Sequence, residues 1–239
     1  MSLAVPVKRE TCPACQRPQS SCICRWITPT AHKVEVVLLQ HPLEIKHAKN
    51  SARLLHLSLP RSVLVVGEVF PEKSLQALIS APLDSGTAGD LPWCTALLYP
   101  DSPHSAALGM PPALALAAGF WPDLSRLRLI VLDGTWRKSR KMLYLNPLLQ
   151  RLPRLALRNG PESRYRIRKA HKPGQLSTLE ATCAALAQLE GETGLYAPLL
   201  AAFDGFVAQQ QSYRAKAAEP ASSNPPSTSS LSMTAISAN

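Results

Sequence analysis

Four cysteines crowd the start of the chain, Cys12, Cys15, Cys22 and Cys24, spaced as C-x2-C-x6-C-x-C. Two close pairs of thiolates on either side of a short loop can surround a tetrahedral ion with Zn–S bonds of about 2.3 Å. Four sulfur ligands leave no position for water, so the expected ion is a structural zinc rather than a catalytic one. An iron–sulfur cluster would use the same ligands. The residues between the cysteines include Pro13, Arg17, Pro18, Gln19 and Ser20, which supply no core that would bury four unrelated thiols. Cys94 and Cys183 stand in apolar surroundings and are expected as ordinary core residues.

A second chemical signal lies in LRLIVLDGTWRKSRKML, residues 127–143. An apolar strand ends at Leu132, Asp133-Gly134 makes the turn, and Thr135 is placed to cap a helix whose first turn carries Trp136. In an open α/β sheet ligands bind at the carboxyl ends of strands, so Asp133 stands where a functional carboxylate would; capping the turn would account for it equally well. Trp136 fits a core anchor or a stacking platform. Arg137, Lys138, Arg140 and Lys141 follow, suited to phosphates or to a solvated face.

Weaker candidates surround these. His41 and Glu44 of Gln40-His41-Pro42-Leu43-Glu44 follow a strand directly and suit acid–base work, substrate orientation or simply a structural loop. Tyr99-Pro100 ends another strand and can line the same cleft. Arg164, Arg166 and Arg168 recur with period two, which in an extended segment places three guanidiniums on one side, a row fit for a phosphate backbone or an amphipathic edge strand. Lys172-Pro173-Gly174 closes that segment. Ser177 and Glu180 then form a capping box, and backbone N–H groups near Leu176, Ser177 and Thr178 could meet the polar end of a cofactor; the plainer reading is a well-capped helix.

The elements that must position these residues alternate. Short apolar runs at 34–39, 62–66, 95–99, 127–132 and 154–158 read as buried strands, and helical stretches are expected at 44–57, 72–80, 135–145, 177–190 and 195–214. Strand–helix alternation implies an α/β fold with a mainly parallel sheet. The organisation expected is a zinc-binding segment at 1–30, an α/β domain at 31–214, and a Ser/Pro/Ala-rich disordered tail at 215–239, with a surface loop at 81–93.

At 239 residues and 46% hydrophobic, the chain can build one sizeable core. No run approaches the roughly 18 apolar residues of a membrane span, and no signal peptide is visible at the start, so a cytoplasmic location is expected. The net charge is +10. Residues 126–172 hold fourteen of the 26 Lys and Arg against two acids, Asp133 and Glu162, a concentration that points to a polyanionic partner.

Taken in order, the cysteine cluster, QHPLE, LLYP, LDGTW with its basic helix, and KPGQLSTLEA resemble the DTW-domain proteins, the tRNA-uridine aminocarboxypropyltransferases. The resemblance runs from about Cys12 to about Tyr213 and is most specific at 132–136 and 175–181; here a Gly stands between the Asp and the Thr-Trp. It implies a SPOUT-like α/β domain in which the cofactor site can be knotted. It also implies transfer of the 3-amino-3-carboxypropyl group of S-adenosylmethionine to N3 of a uridine, position 47 in the tRNA variable loop. On this resemblance Asp133 would act as base, with Trp136, Glu44 and His41 in the catalytic group. Tyr99, Pro100, Leu132, Gly134, Thr135, Leu176, Ser177, Thr178 and Glu180 would hold the cofactor. Arg137, Lys138, Arg140, Lys141, Arg164, Arg166, Arg168 and Lys172 would meet tRNA. An S-adenosylmethionine-dependent tRNA methyltransferase and a non-catalytic zinc RNA-binding protein remain as alternatives.

Overall fold

A computed structural model describes residues 10–82, 93–115, 121–158 and 176–218. Six strands form one all-parallel sheet: β1 (Glu35–Gln40), β2 (Ser62–Val66), β3 (Cys94–Leu98), β4 (Leu114–Ala115), β5 (Leu127–Asp133) and β6 (Arg154–Ala156), in the spatial order β2-β1-β5-β3-β6-β4. The helices are α1 (Ala52–Ser58), α2 (Glu72–Ser80), α3 (Pro103–Ala107), α4 (Trp136–Leu145), α5 (Pro147–Gln150), α6 (Thr178–Glu190) and α7 (Ala197–Ala218).

The strands read as continuous apolar runs because both faces of the sheet are covered. On one face Val36, Leu38, Leu129 and Val131 pack with Leu54 and Leu55 of α1, Leu186 of α6, and Phe203 and Phe206 of α7. On the other, Val37, Leu39 and Ile130 meet Leu75 of α2, Met142 and Leu143 of α4, and Leu149 of α5. Register sets the height of the functional residues: Gln40 lies opposite Asp133, and Leu98 is paired with both Val131 and Leu155. The carboxyl ends of β1, β5, β3 and β6 therefore finish on one rim.

The cysteine segment packs into the main body. Cys12, Cys15 and Ile23 belong to the same apolar cluster as α6 and α7. Trp26 lies so close to Gly205 that a Cβ there would come within 2.2 Å of the indole, so only glycine fits on α7 at this crossing.

Several boundaries differ from the sequence expectation. The helix expected at 44–57 begins only at Ala52, because the buried Asn50 Oδ1 accepts from the N–H groups of Ala52 and Arg53 and caps it there. The strand expected at 154–158 ends at Ala156, and α3, α5 and β4 were not anticipated. Cys94 opens β3 at its exposed end rather than in the core, whereas Cys183 is buried. Two of the fourteen clustered basic residues, Arg128 and Arg154, are buried in ion pairs with Glu35 and Asp101. The expected loop at 81–93 and the expected tail fall mostly at 83–92 and 219–239, outside the described residues. So does the connection from β6 to α6, residues 159–175, through which the chain path of a knot would be traced.

Candidate active site and metal centre

Asp133, the last residue of β5, is 4% exposed. Its Oδ2 accepts from Gln40 Nε2 at 2.9 Å and Asn50 Nδ2 at 2.6 Å, and its Oδ1 accepts from Thr178 Oγ1 at 2.7 Å. The carboxylate thus joins the ends of β1 and β5, the loop before α1 and the start of α6. The orientation of the Asn50 amide follows from the network: an oxygen must face the N–H of Ala52, so the NH2 faces Asp133. Burial pushes the Asp133 carboxyl above the usual carboxylate range, Glu44 adds to the rise, and the three neutral donors partly offset it.

Beside this hub lies a cavity of about 300 Å³, at the small end of the range for small-molecule sites. It opens on the rim above β5, β3 and β6. Its walls include Tyr99, Pro100, Leu132, Gly134, Trp136, Leu176, Ser177 and Thr178, with Ser139, Ala156 and Leu157 completing the mouth of the sheet. Thr135 and Glu180 are not on the wall: Thr135 caps α4, and Glu180 is buried, accepting from the Ser177 N–H at 2.7 Å while its own N–H goes back to Ser177 Oγ. The N–H of Leu179 goes to Ser51 Oγ. At the start of α6 this leaves, among the described residues, the Thr178 N–H for a ligand.

Trp136 is 45% exposed and meets Tyr99 edge to face with ring centroids 5.7 Å apart, so it is not a core anchor; it stands at the cavity mouth. Gly134 lets the turn pass beneath α4, since a Cβ there would lie 3.1 Å from Lys138 Cβ. Asp133 itself does not line the cavity, and of its three donors among the described residues only Thr178 does.

His41 and Glu44 lie on the same rim with their polar atoms engaged. His41 Nδ1 accepts from the Leu43 N–H at 3.1 Å, which leaves Nε2 to donate to Glu68 Oε1 at 2.8 Å. Glu44 takes Lys138 Nζ at 2.8 Å, and Lys141 Nζ pairs with Glu68 Oε2 at 2.9 Å. Two of the four cations expected of α4 are therefore already paired, while Arg137 is exposed and Arg140 half-buried. Arg164, Arg166, Arg168 and Lys172 lie outside the described residues.

Three contributors had no place among the expected site residues. Gln40 and Asn50 hold Asp133; the strand end and the Asn-Ser before α1 were the signals that could have found them. Arg154, 1% exposed, donates to Pro100 O, Pro111 O and Asp101 Oδ1 and so fixes the loop that carries Pro100 into the cavity wall.

Near the loop that carries Asn50, the four cysteine sulfurs lie within 4.8 Å of one another, with Cys12–Cys24 at 3.6 Å and Cys15–Cys22 at 3.7 Å. A tetrahedron with bonds of about 2.3 Å needs edges of about 3.8 Å, so the four sulfurs fit one zinc ion. Without an ion the thiols share their protons unequally: backbone hydrogen bonds at Cys15 and Ala14 hold the Cys12 thiol low, while burial and the neighbouring cysteines push Cys24 up. Gln16, at φ 57°, turns the chain between the pairs, and an isolated bridge from Thr11 to Pro18 closes the hairpin.

A DTW-domain family model matches residues 9–211. The chain is 34% identical over 194 residues to the tRNA-uridine aminocarboxypropyltransferase 2 of Drosophila melanogaster, covering 80% of this chain and 70% of that protein. It is 28% identical over 197 residues to the Mus musculus protein of the same name, covering 81% and 61%. With the tRNA-uridine aminocarboxypropyltransferase A of Arabidopsis thaliana it shares 31% over 151 residues, covering 60% and 54%. The chain thus spans less than two thirds of the mouse and plant relatives' length. No solved structure matches it.

Proposed function

The chain belongs to the DTW-domain family, and from that membership we propose that it is a tRNA-uridine aminocarboxypropyltransferase acting in the cytoplasm. The donor is S-adenosylmethionine and the acceptor N3 of a uridine in the tRNA variable loop. The carrying observation is the family match over residues 9–211, a span that contains every residue of the cavity wall. The all-parallel sheet with a cavity at its carboxyl rim supports the SPOUT-like reading of the fold.

In this reading the donor occupies the cavity. The Tyr99 and Trp136 rings offer π faces to the positive sulfonium, and the start of α6 at Thr178 offers an N–H and a helix terminus to the donor's carboxylate. The uridine approaches at the open mouth beside Trp136. N3 attacks the γ-carbon of the methionyl chain, the C–S bond breaks with its electron pair, and methylthioadenosine leaves as a neutral thioether. Orientation in the pocket selects this carbon over the methyl group. The N3 proton passes to Thr178 Oγ1 as that hydroxyl gives its own proton to Asp133 Oδ1, since among the described residues Thr178 is the donor to this buried carboxylate that also lines the cavity. A raised carboxyl pKa makes Asp133 the stronger base for this task. Zinc at the four cysteines would fix the hairpin and take no part in the transfer; all four ligand positions are sulfur.

Nucleoside mass spectrometry on tRNA from cells lacking the protein tests the proposal: 3-amino-3-carboxypropyluridine should disappear, and the purified protein with donor and that tRNA should restore it with release of methylthioadenosine. Release of S-adenosylhomocysteine instead would identify a methyltransferase, and failure to bind the donor would leave an RNA-binding protein.

A further inference from the structure

The cysteine hairpin and the Asp133 carboxylate are joined by a continuous run of contacts. Arg17 sits between the two cysteine pairs. Its Nη1 donates to Ala48 O at 2.8 Å and its Nη2 to Asn50 O at 2.9 Å, while its guanidinium lies over the Phe206 ring of α7, 5.2 Å from the centroid. The grip is reciprocal, because Arg53 in the first turn of α1 donates to Ala14 O at 3.1 Å, between Cys12 and Cys15. Asn50, 8% exposed, then donates to Asp133 Oδ2 at 2.6 Å while its own Oδ1 accepts from Gln40 and from the N–H of Ala52.

Residues 45–50 are turns and irregular backbone, held by isolated bonds such as His47 N–H to Glu44 O and Asn50 N–H to His47 O rather than by a regular ladder. A loop of this kind fluctuates unless something rigid braces it. Here the brace is a hairpin whose own shape a metal would lock, and Arg17 is its reach into the loop. Its planar fork, spanning two carbonyls two residues apart, fixes direction as well as distance.

We propose that Arg17 is a positioning residue through which the four-cysteine hairpin holds Asn50, and Asn50 holds Asp133, in the geometry that the transfer needs. The inference rests on the function proposed above in taking Asp133 as the working carboxylate.

Arg17→Gln tests it in the full-length zinc-loaded protein. Zinc content and donor binding should stay as in the unmutated protein. Turnover should fall about tenfold with KM for tRNA changed by less than about twofold, because a displaced acceptor geometry weakens the step and not the binding. Arg17→Lys, which keeps one donor and the charge, should recover part of the loss. Hydrogen exchange should quicken at the amides of 48–53 and not in the strands. Asn50→Ser keeps a helix cap but is too short to reach Asp133; adding Arg17→Gln to it should slow turnover by less than about twofold more, since both act through one link. Native turnover in Arg17→Gln, exchange that quickens throughout the sheet, or fully additive losses would each overturn the proposal. The exchange at 48–53 does not depend on the reaction. A protein that made no aminocarboxypropyluridine would therefore sink the proposed function while still reporting on Arg17.

Discussion

Asp133, the carboxylate proposed as the base, is buried and, among the described residues, accepts from the neutral donors Gln40, Asn50 and Thr178. Burial lifts its folded-state pKa above the ordinary 3.8, so the native state holds the proton more tightly than the unfolded chain does. Its contribution to stability is therefore fully present below about pH 3.8 and is lost as pH rises through the raised value. Asp133→Asn removes that dependence. The new side-chain oxygen can accept from Gln40 and Asn50, and the new NH2 can donate to Thr178, whose hydroxyl turns to accept. The variant is expected to fold with native or slightly higher thermal stability at neutral pH and to bind donor and tRNA, while turnover drops roughly 10²–10⁴-fold, the span of a lost general base. Methylthioadenosine release against a thermal melt decides it. Near-native turnover in the folded variant would move the base elsewhere.

Two elements carry predictions of their own. The cysteine hairpin should hold about one zinc per chain, and Cys22→Ser with Cys24→Ser should lose it, as metal analysis will show. Because Cys12 and Cys15 are part of the core cluster that includes Phe203 and Phe206, metal loss should also lower the melting temperature rather than merely free an arm. The second element is α4. Its basic residues are not equivalent: Lys138 and Lys141 are tied to Glu44 and Glu68, while Arg137 is exposed and Arg140 half-buried. Replacing Arg137 and Arg140 by Ala should weaken tRNA binding and flatten its salt dependence more than replacing both lysines, since a paired cation releases fewer counterions from the nucleic acid. Filter binding across a salt series separates the pairs; equal slopes would mean that the ion pairs open on contact with tRNA.

For the whole molecule, the net charge of +10 is not spread as the sequence order implies. Arg128 and Arg154 spend their charge inside, one pinning β5 to β1 through Glu35, the other pinning the loop after β3 through Asp101. Arg128 lies at the rim opposite the cavity and is also covered by the Trp93 ring at 4.8 Å. The positive surface open to a polyanion is correspondingly smaller than the count of basic residues. Arg164, Arg166 and Arg168 replaced together by Ala are expected to lower tRNA affinity and shave the salt slope by about two to three, with donor binding unchanged. An unaltered slope would make that row a solvated face.

Much of this was legible without coordinates because it is written in local spacing. Alternating apolar runs and helical stretches specify a parallel α/β sheet, paired cysteines specify a sulfur cage, and a carboxylate at the end of an apolar strand marks the carboxyl rim of the sheet. The partners of Asp133 were not legible: Gln40, Asn50 and Thr178 are contributed from 93, 83 and 45 residues away in the chain. No periodicity links such positions, since only strand register and helix packing bring them within hydrogen-bond reach. Burial was hidden for the same reason. Arg128 and Arg137 look alike in a count of charges, and the sheet encloses one while leaving the other in water, because the strand that carries Arg128 is covered on both faces and Glu35 lies opposite it in register.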